Sequence, residues 1–199
     1  MASLTRTLFK PHGTTHHIVH LGGMNVSIPQ FTLPPPFTHT QVSYPNTPPE
    51  EVPARARDAT VLITNTVKLY AEQLDPAVTP NLQCIIAMAT GTDQIDLEAA
   101  RKRGIRVCSC PGANVNAVSE SAIGLYFTAR KRTVGMHEAV VDGKGEWKQK
   151  GSVSYKLRDR EGLPPLTCGE EVVGIVGFGA IGRSMFFCNF YSQDACCHF

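Results

Sequence analysis

Residues 82–110 read LQCIIAMATGTDQIDLEAARKRGIRVCSC, and this stretch decides the fold. Its first part, residues 82–89, is a continuous apolar run, which is typical of a strand covered on both faces. Asp96 then precedes a short segment that ends in basic residues and Gly104. This pattern predicts a helix with an acidic N-cap, a cationic last turn and a glycine stop. Residues 105–110 are again strand-like, so the order strand, helix, strand predicts a parallel sheet in an α/β protein.

Upstream of this stretch, the same kind of pattern occurs twice. Residues 59–64 (ATVLIT) form another continuous apolar run, and residues 17–21 (HIVHL) predict a first strand that ends at Gly22 and Gly23. The proline-rich residues 29–53 predict an extended loop with a short edge strand at 38–43, because proline lacks an amide donor and fixes φ.

Downstream, residues 114–132 are the longest helix candidate, and Asn116 is a possible N-cap. Apolar residues at helical spacing predict one buried face, which Ile123, Tyr126 and Phe127 widen. The face is formed by Val118, Ala122, Leu125 and Ala129. We therefore expect a helix packed on both sides that connects two domains, followed by an irregular linker over residues 131–165 with a short helix at its start.

A glycine motif follows the predicted strand 172–176: residues 177–182 read GFGAIG. In a dinucleotide-binding fingerprint, the first glycine permits a tight turn, the second lets backbone amides approach a pyrophosphate, and the third lets helix and strand pack closely. The alternative is an ordinary glycine-rich turn. The fingerprint also requires an acidic residue about 20 positions further on. Asp194 follows Gly177 by 194 − 177 = 17 positions, in a segment that is not strand-like, so it is not assigned and the choice between NAD and NADP stays open.

A second glycine loop, residues 89–96 (ATGTDQID), joins a predicted strand to the predicted helix after Asp96. Its free amides could hold a carboxylate. Considered alone, it is better explained as a plain connection stabilised by the side chains of Asp93 and Asp96.

Four segments in series resemble one family. Residues 90–96 (TGTDQID), 99–107 (AARKRGIRV), 111–120 (PGANVNAVSE) and 173–182 (VGIVGFGAIG) resemble the D-isomer-specific 2-hydroxyacid dehydrogenases in order and interval. The resemblance covers roughly residues 55–183. It implies that residues 1–112 are the N-terminal part of a flavodoxin-like substrate domain. It also implies that residues 113–199 are the connecting helix and the start of a truncated NAD-binding Rossmann domain.

The resemblance also assigns roles by position. The backbone amides of Thr90 and Gly91 correspond to the cradle for the substrate carboxylate, and Val118 corresponds to the residue that faces the nicotinamide. Ser119 stands where many members have alanine. The implied ligands are NAD, with NADP left open, and a small 2-hydroxy or 2-keto acid, and the full-length form is expected to be a homodimer. The complete set of implied cofactor-binding residues is Val118, Gly177, Phe178, Gly179, Ala180, Ile181 and Gly182.

Members of this family place a catalytic arginine, glutamate and histidine after the fingerprint, whereas only 199 − 182 = 17 residues follow Gly182 here. We therefore assign no catalytic residue, and we expect a truncated product, impaired in activity, that loses the family pattern after about Ser184. We expect marginal stability and exposed apolar surface around Ile175, Ile181 and the connecting helix. The alternatives are a non-catalytic NAD-binding or subunit-interaction fragment, and an unrelated flavodoxin-like binding domain.

Composition excludes several other classes. A formal net charge of +2 gives no reason to expect nucleic acid or an anionic membrane as a partner. No apolar run reaches the roughly 18 residues of a membrane span, and the N-terminus lacks the pattern of a secretory signal. The seven cysteines are scattered, so we expect reduced thiols and a cytoplasmic location. Cysteines and histidine near the C-terminus lack metal-ligand spacing, so no metal site is assigned at Cys188, Cys196, Cys197 and His198.

Overall fold

The computed structural model describes residues 12–24, 26–141 and 145–189. The chain divides into two compact units, with the division between Ala113 and Asn114. We call these the N-terminal unit and the C-terminal unit and describe each by itself. Across the described ranges, no helix is both long and apolar enough to cross a membrane.

The N-terminal unit is built on a five-stranded parallel sheet. Its strands are β1 (Thr15–His20), β2 (Thr38–Ser43), β3 (Val61–Thr64), β4 (Cys84–Ala87) and β5 (Arg106–Ser109), in the spatial order β2-β1-β3-β4-β5. All four pairings are parallel. This is the flavodoxin-like order, and it confirms the predicted α/β class. The predicted edge strand at 38–43 is confirmed as β2, which pairs with β1 alone among the described strands.

The hydrophobic core lies on one face of this sheet. Helix α1 (Val52–Ala56), which follows a 3-10 turn at Pro49–Glu51, and helix α2 (Leu97–Lys102) contribute to the same cluster as the strands. Leu62 of β3 and Ile85 of β4 are fully buried in it. The alternation of inward and outward side chains along each strand places them there. On the other face, Phe31 and Leu33 of the proline-rich loop help to enclose an apolar cavity of about 280 Å³.

Helix α2 begins and ends as the sequence predicts. The carboxylate of Asp96 accepts a hydrogen bond from the amide of Ala99 at 2.9 Å, which satisfies one of the free amides of the first turn. Gly104 follows the helix with a φ of +70°, a conformation that favours glycine. Arg103, at the end of α2, donates to the carbonyl of Leu74 and to both the hydroxyl and carbonyl of Thr79, so it ties the helix to the preceding loop.

His20, at the end of β1, is fully buried. Its Nδ1 lies 3.0 Å from the hydroxyl of Ser43 on β2, and its Nε2 has no partner among the described residues. Burial lowers the pKa of His20 below its ordinary value of 6.5, because the charged imidazolium is disfavoured away from water.

The C-terminal unit contains helices but no strand in its described part. Its elements are α3 (Val115–Arg130), α4 (Thr133–Val141), α5 (Glu146–Lys150), a 3-10 turn (Ser154–Leu157) and α6 (Ala180–Asn189). The predicted connecting helix is confirmed as α3. The helix predicted at the start of the linker 131–165 is confirmed as α4, whereas the rest of the linker is wrong as an irregular segment where α5 and the 3-10 turn form.

The predicted strand at 172–176 is not formed. A strand is stable when a neighbouring strand satisfies its backbone amides and carbonyls, and none of the described residues of this unit provides one. The segment instead alternates in exposure: Val173 and Ile175 are half-buried, whereas Val172 and Val176 are 95% and 104% exposed.

The predicted apolar face of α3 is also wrong. Val118 and Leu125 are exposed, Leu125 to 69%. The covered face contains Ser119 at helical spacing from Ile123 and Tyr126, two residues that were predicted only to widen the apolar face. Asn116 does not cap the helix, since α3 begins at Val115, and Asn114 at the N-cap position makes no side-chain capping bond. The period was read correctly, but periodicity alone could not decide which side of an apolar helix is covered.

The expected loss of pattern after Ser184 does not end the helix. Helix α6 continues to Asn189, and Met185 and Phe186 are half-buried within it. The ring of Phe186 meets that of Phe178 edge-on at 6.2 Å between centroids, which gives this part of the helix an apolar contact. The exposed apolar surface expected around Ile181 and the connecting helix is present, whereas Ile175 is half-buried.

Candidate functional site

The loop after β4 carries the first candidate site. Thr90 and Gly91 are both exposed and lie at the carboxyl end of the sheet. A Cβ on Gly91 would lie 3.1 Å from Oδ2 of Asp93, so the Asp93 carboxylate folds back closely over this glycine. Among the described residues, no acceptor takes a hydrogen bond from the Gly91 amide. This leaves a backbone donor that could bind an anion.

Two residues for which the sequence predicted no ligand role lie near the ends of neighbouring strands. Gly22 follows β1 and Asn65 follows β3, so both lie at the same carboxyl edge as the Gly91 loop. The side chain of Gln94 donates from Nε2 to the Asn65 carbonyl at 3.1 Å, which ties the end of β3 to the Gly91 loop. Nothing in the local pattern marks Asn65, because its position depends on which strands become neighbours.

The second candidate site is the glycine loop of the C-terminal unit. Gly177 has a φ of +100°, which a residue with a side chain rarely adopts. A Cβ on Gly182 would lie 2.1 Å from the carbonyl oxygen of Gly177, so the third glycine is required for the close packing of α6 on the loop. A Cβ on Gly179 would meet no atom within 4 Å, so the second glycine borders open space directly before the N-terminus of α6.

The rest of the fingerprint is solvent-accessible. Phe178, Ala180 and Ile181 are exposed, so the loop presents its backbone and its helix N-terminus to a potential ligand. Free amides and the positive end of the helix dipole at such a terminus favour anions. The loop geometry therefore fits a phosphate group.

Ser119 places the beginning of α3 beside this loop. Its hydroxyl is fully buried and lies 2.8 Å from the carbonyl of Val115 and 3.4 Å from that of Ile181. Val118, the preceding residue, is 37% exposed. Within the C-terminal unit, the structure therefore brings the neighbourhood of Val118 to the fingerprint, as a shared cofactor site requires.

An ion-pair cluster holds the segment before the fingerprint against α3. Arg130 contacts the Glu171 carboxylate with Nη2 and with Nε, the latter at 2.9 Å, and the hydroxyl of Tyr126 donates to the same carboxylate. The hydrogen bond from Tyr126 and the contact with Arg130 lower the pKa of Glu171, and the bond to Glu171 raises the pKa values of Tyr126 and Arg130. These three residues position the segment; no ligand role is assigned to them.

Asp194, Cys196, Cys197 and His198 lie outside the described residues, as does the side chain of Cys188.

Comparison with known proteins adds a family and a fold. The sequence model for "D-isomer specific 2-hydroxyacid dehydrogenase, catalytic domain" matches residues 30–198. The chain is 33% identical over 153 residues to a glycerate dehydrogenase of Methylorubrum extorquens, which covers 75% of this chain and 45% of that protein. The chain thus spans about half the length of the curated relatives it matches.

Solved structures give the same result for the fold. The pyruvate reductase of Chlamydomonas reinhardtii superposes with a TM-score of 0.63 at 21% identity, over 88% of this chain and 49% of that one. An NADPH-dependent glyoxylate/hydroxypyruvate reductase from Sinorhizobium meliloti, in complex with NADP and malonate, superposes with a TM-score of 0.58 at 22% identity, over 87% and 49% of the two chains.

Proposed function

The chain belongs to the D-isomer-specific 2-hydroxyacid dehydrogenase family, and on this premise we propose that it binds the two ligands of such an enzyme. In this proposal the N-terminal unit binds a small 2-hydroxy or 2-oxo acid, and the C-terminal unit binds NAD or NADP. The corresponding activity is NAD(P)-dependent oxidation of the CH–OH group of a D-2-hydroxy acid, or reduction of the 2-oxo acid in reverse.

The glycine fingerprint is the observation that carries the proposal. Gly177 turns the chain with a positive φ, Gly182 packs against the Gly177 carbonyl, and Gly179 borders open space at the N-terminus of α6. Each glycine thus has the geometry that its role in pyrophosphate binding requires. A helix of ten residues follows directly, and its free amides would hold the phosphate oxygens. Val118 would border the nicotinamide.

In the N-terminal unit, the amides of Thr90 and Gly91 would hold the substrate carboxylate. A backbone amide that donates to an anion makes a stronger hydrogen bond than one that donates to a neutral acceptor. When bound, the dinucleotide would accept the hydride in oxidation or donate it in reduction, and the residues of this chain would bind and orient the two ligands. We assign no catalytic acid or base in this chain, so binding and turnover are tested separately.

Cofactor binding is tested with the full chain by titrating NADH and NADPH and following backbone amides by NMR. We expect shifts at residues 177–182 and at Val118. Gly179→Ala should leave the spectrum of the ligand-free chain almost unchanged, since its Cβ meets no atom within 4 Å. The variant should nevertheless weaken binding about tenfold, by obstructing about one charge-assisted hydrogen bond.

The matched control is Gly169→Ala, whose Cβ also meets no atom within 4 Å but which lies outside the fingerprint. Equal affinity of the two variants, or shifts that avoid residues 177–182, would contradict the proposal. Turnover is then measured by the oxidation of NADH in the presence of glyoxylate or hydroxypyruvate. The outcome decides whether binding in this chain is accompanied by catalysis.

A second candidate function is subunit association. Large apolar side chains of α3 and α4 are exposed, and burying them against another subunit would be favourable. We propose homodimerisation, or association as a non-catalytic partner, through Leu125, Val134, Val140 and Val141. Sedimentation of the wild type and of Leu125→Glu tests this proposal. A dimer that persists in the variant would exclude this surface as the subunit interface.

We also propose that the protein works in a reducing compartment such as the cytosol. Cys84, Cys108, Cys110 and Cys168 are all free thiols. Thiols are retained in such a compartment and are oxidised outside it. Imaging of the tagged full chain in its native cells tests this location, and a signal confined to an oxidising compartment would contradict it.

A further inference from the structure

The crevice between β1 and β3 is the point where the strand order of the N-terminal unit reverses. After β1 the chain moves to β2 on one side, and β3 then pairs with the other side of β1. In open α/β sheets, ligands bind outside the carboxyl ends of the strands at such a switch point. Gly22 lies two residues after β1, and Asn65 lies directly after β3.

The Asn65 carboxamide is packed directly on Gly22. A Cβ on Gly22 would lie 2.3 Å from Oδ1 of Asn65, so only glycine leaves space for the side chain in this orientation. The amide of Thr66 donates to the same Oδ1 at 3.0 Å, which fixes which end of the carboxamide is the acceptor. The carbonyl of Asn65 is held in turn by Gln94.

The other end of this carboxamide is a donor. With Oδ1 accepting from Thr66, the Nδ2 group of Asn65 makes no hydrogen bond to any described residue, and the side chain is only half-buried. The donor lies at the switch point, on the strand next to the one that leads into the Thr90–Gly91 loop. It is therefore placed to complement a ligand whose carboxylate is held by that loop.

We propose that Nδ2 of Asn65 donates a hydrogen bond to an oxygen of the bound 2-hydroxy or 2-oxo acid and that Asn65 is a specificity-determining residue. The inference rests on the proposed function. A neutral donor at this position favours ligands that present an acceptor oxygen and disfavours those that present an alkyl group, which would leave the amide unpaired. Gly22 acts through Asn65, as a positioning residue.

The test uses the full chain and oxalate as the probe, because oxalate presents acceptor oxygens on both of its carbons. Titration is followed by NMR at the backbone amides of Thr90 and Gly91 and at the side-chain amide of Asn65. We expect Asn65→Ala to weaken oxalate binding about tenfold, the loss of about one hydrogen bond to a charged acceptor. Asn65→Asp should weaken it further, because a carboxylate at this position repels the anion.

The aspartate variant separates the two roles of Asn65. Its carboxylate can still accept from the Thr66 amide, so a purely structural role predicts that Asn65→Asp binds oxalate better than Asn65→Ala. Gly22→Ala should fold, because the atom its Cβ meets is the end of a side chain, and should weaken binding by rotating the carboxamide away. Asn81→Ala, an exposed position, and Gly124→Ala, with no atom within 4 Å of its Cβ, are the controls.

Each outcome decides one hypothesis. Oxalate shifts at Gly91 that persist at wild-type affinity in Asn65→Asp would overturn the role of Asn65 and leave the proposed carboxylate cradle intact. The role of Asn65 is supported if Asn65→Asp binds oxalate more weakly than Asn65→Ala does and Gly22→Ala also binds it more weakly than the wild type. If the unaltered chain shows no oxalate shifts at Thr90 and Gly91, the cradle is wrong and the Asn65 inference falls with it.

Discussion

The N-terminal and C-terminal units contain similar apolar runs, yet only one of them builds a sheet. In the N-terminal unit, the run around β3 pairs on both sides, and Leu62 is fully buried. In the C-terminal unit, the run at 172–176 pairs with no described strand, and Val176 is fully exposed. The difference shows that an apolar run specifies a strand only when neighbouring strands are present to satisfy its backbone.

The two units also hold their glycine loops in different ways. In the N-terminal unit, the Gly91 loop follows a strand that is paired on both sides. In the C-terminal unit, the fingerprint is held by helix contacts, by Ser119 and by the Glu171 cluster. We therefore expect substitutions in the N-terminal unit to have large effects on unfolding and those in the C-terminal unit to act mainly on local order.

The largest expected contrast compares one valine and one leucine. Leu62→Ala should lower the free energy of unfolding of the N-terminal unit by about 2–5 kcal/mol, because it leaves a cavity in a packed core. Val176→Ala should change stability by less than about 0.5 kcal/mol, because the side chain is exposed. Urea unfolding followed by circular dichroism measures both. Similar values for the two would mean that the 172–176 run is packed in solution.

The next effect concerns Arg103, which makes three hydrogen bonds to Leu74 and Thr79. Arg103→Lys should cost about 2 kcal/mol, because an ammonium group cannot reproduce the planar fork of donors. Arg101→Lys, an exposed neighbour on the same helix, is the control and should be neutral. Equal stability of the two variants in the same urea assay would refute a structural role for Arg103.

A smaller effect is expected at the N-cap of α2. Asp96→Ala removes the acceptor for the Ala99 amide and should cost about 1 kcal/mol. Asp96→Asn should retain most of the stability, because the asparagine oxygen can accept the same bond. Asp58→Ala, at an exposed aspartate, is the control for the loss of a carboxylate. The thermal midpoint measures all three, and a midpoint of Asp96→Asn as low as that of Asp96→Ala would argue against capping.

The stability of the N-terminal unit should vary with pH because of His20. Burial lowers the pKa of His20 in the folded chain, so well above pH 6.5 the imidazole is neutral in both the folded and the unfolded state. As the pH falls below 6.5, the unfolded chain binds the proton first, and stability decreases. His20→Gln, which does not titrate, should flatten this part of the profile. Urea midpoints between pH 5 and 8 test it, and an unchanged slope in the variant would exclude His20 as the cause.

The smallest effect is expected in the C-terminal unit at Glu171. Hydrogen bonds lower its pKa in the folded state, so its stabilising contribution is present above its ordinary value of 4.5 and is lost as the pH falls through the lowered pKa. Because solvent screens this cluster, its loss should affect only the local order of α3 and of the segment before the fingerprint. The protection factors of the α3 amides near Tyr126, which are corrected for the intrinsic pH dependence of exchange, should decrease at low pH in the wild type. In Glu171→Gln exchange should already be faster at neutral pH, and protection equal to wild type there would contradict the role of the cluster.

Much of the N-terminal unit could be predicted from the sequence, because its signals are local. The acidic cap at Asp96, the stop at Gly104 and the alternation of apolar runs with a short helix each reflect interactions between residues close in the chain. The glycine spacing at 177–182 is local in the same sense. Thr90 and Gly91 were identified only through the resemblance, since their loop alone favours a plain turn. Their ligand role stays a prediction, as do the roles of Val118 and the fingerprint.

By itself the sequence determined the order of the strands and of α2 in the N-terminal unit, the α/β class of that unit and the family. Only the tertiary structure decided the face of α3 that is covered, the lack of a strand at 172–176, and the meeting of Gly22 with Asn65 at the switch point. The physical reason is range: caps, turns and periodicity are set by neighbours along the chain. Strand pairing and burial depend on contacts between segments that are distant in the sequence, such as the hydrogen bond from the backbone amide of His17 to the hydroxyl of Thr60, 43 residues away.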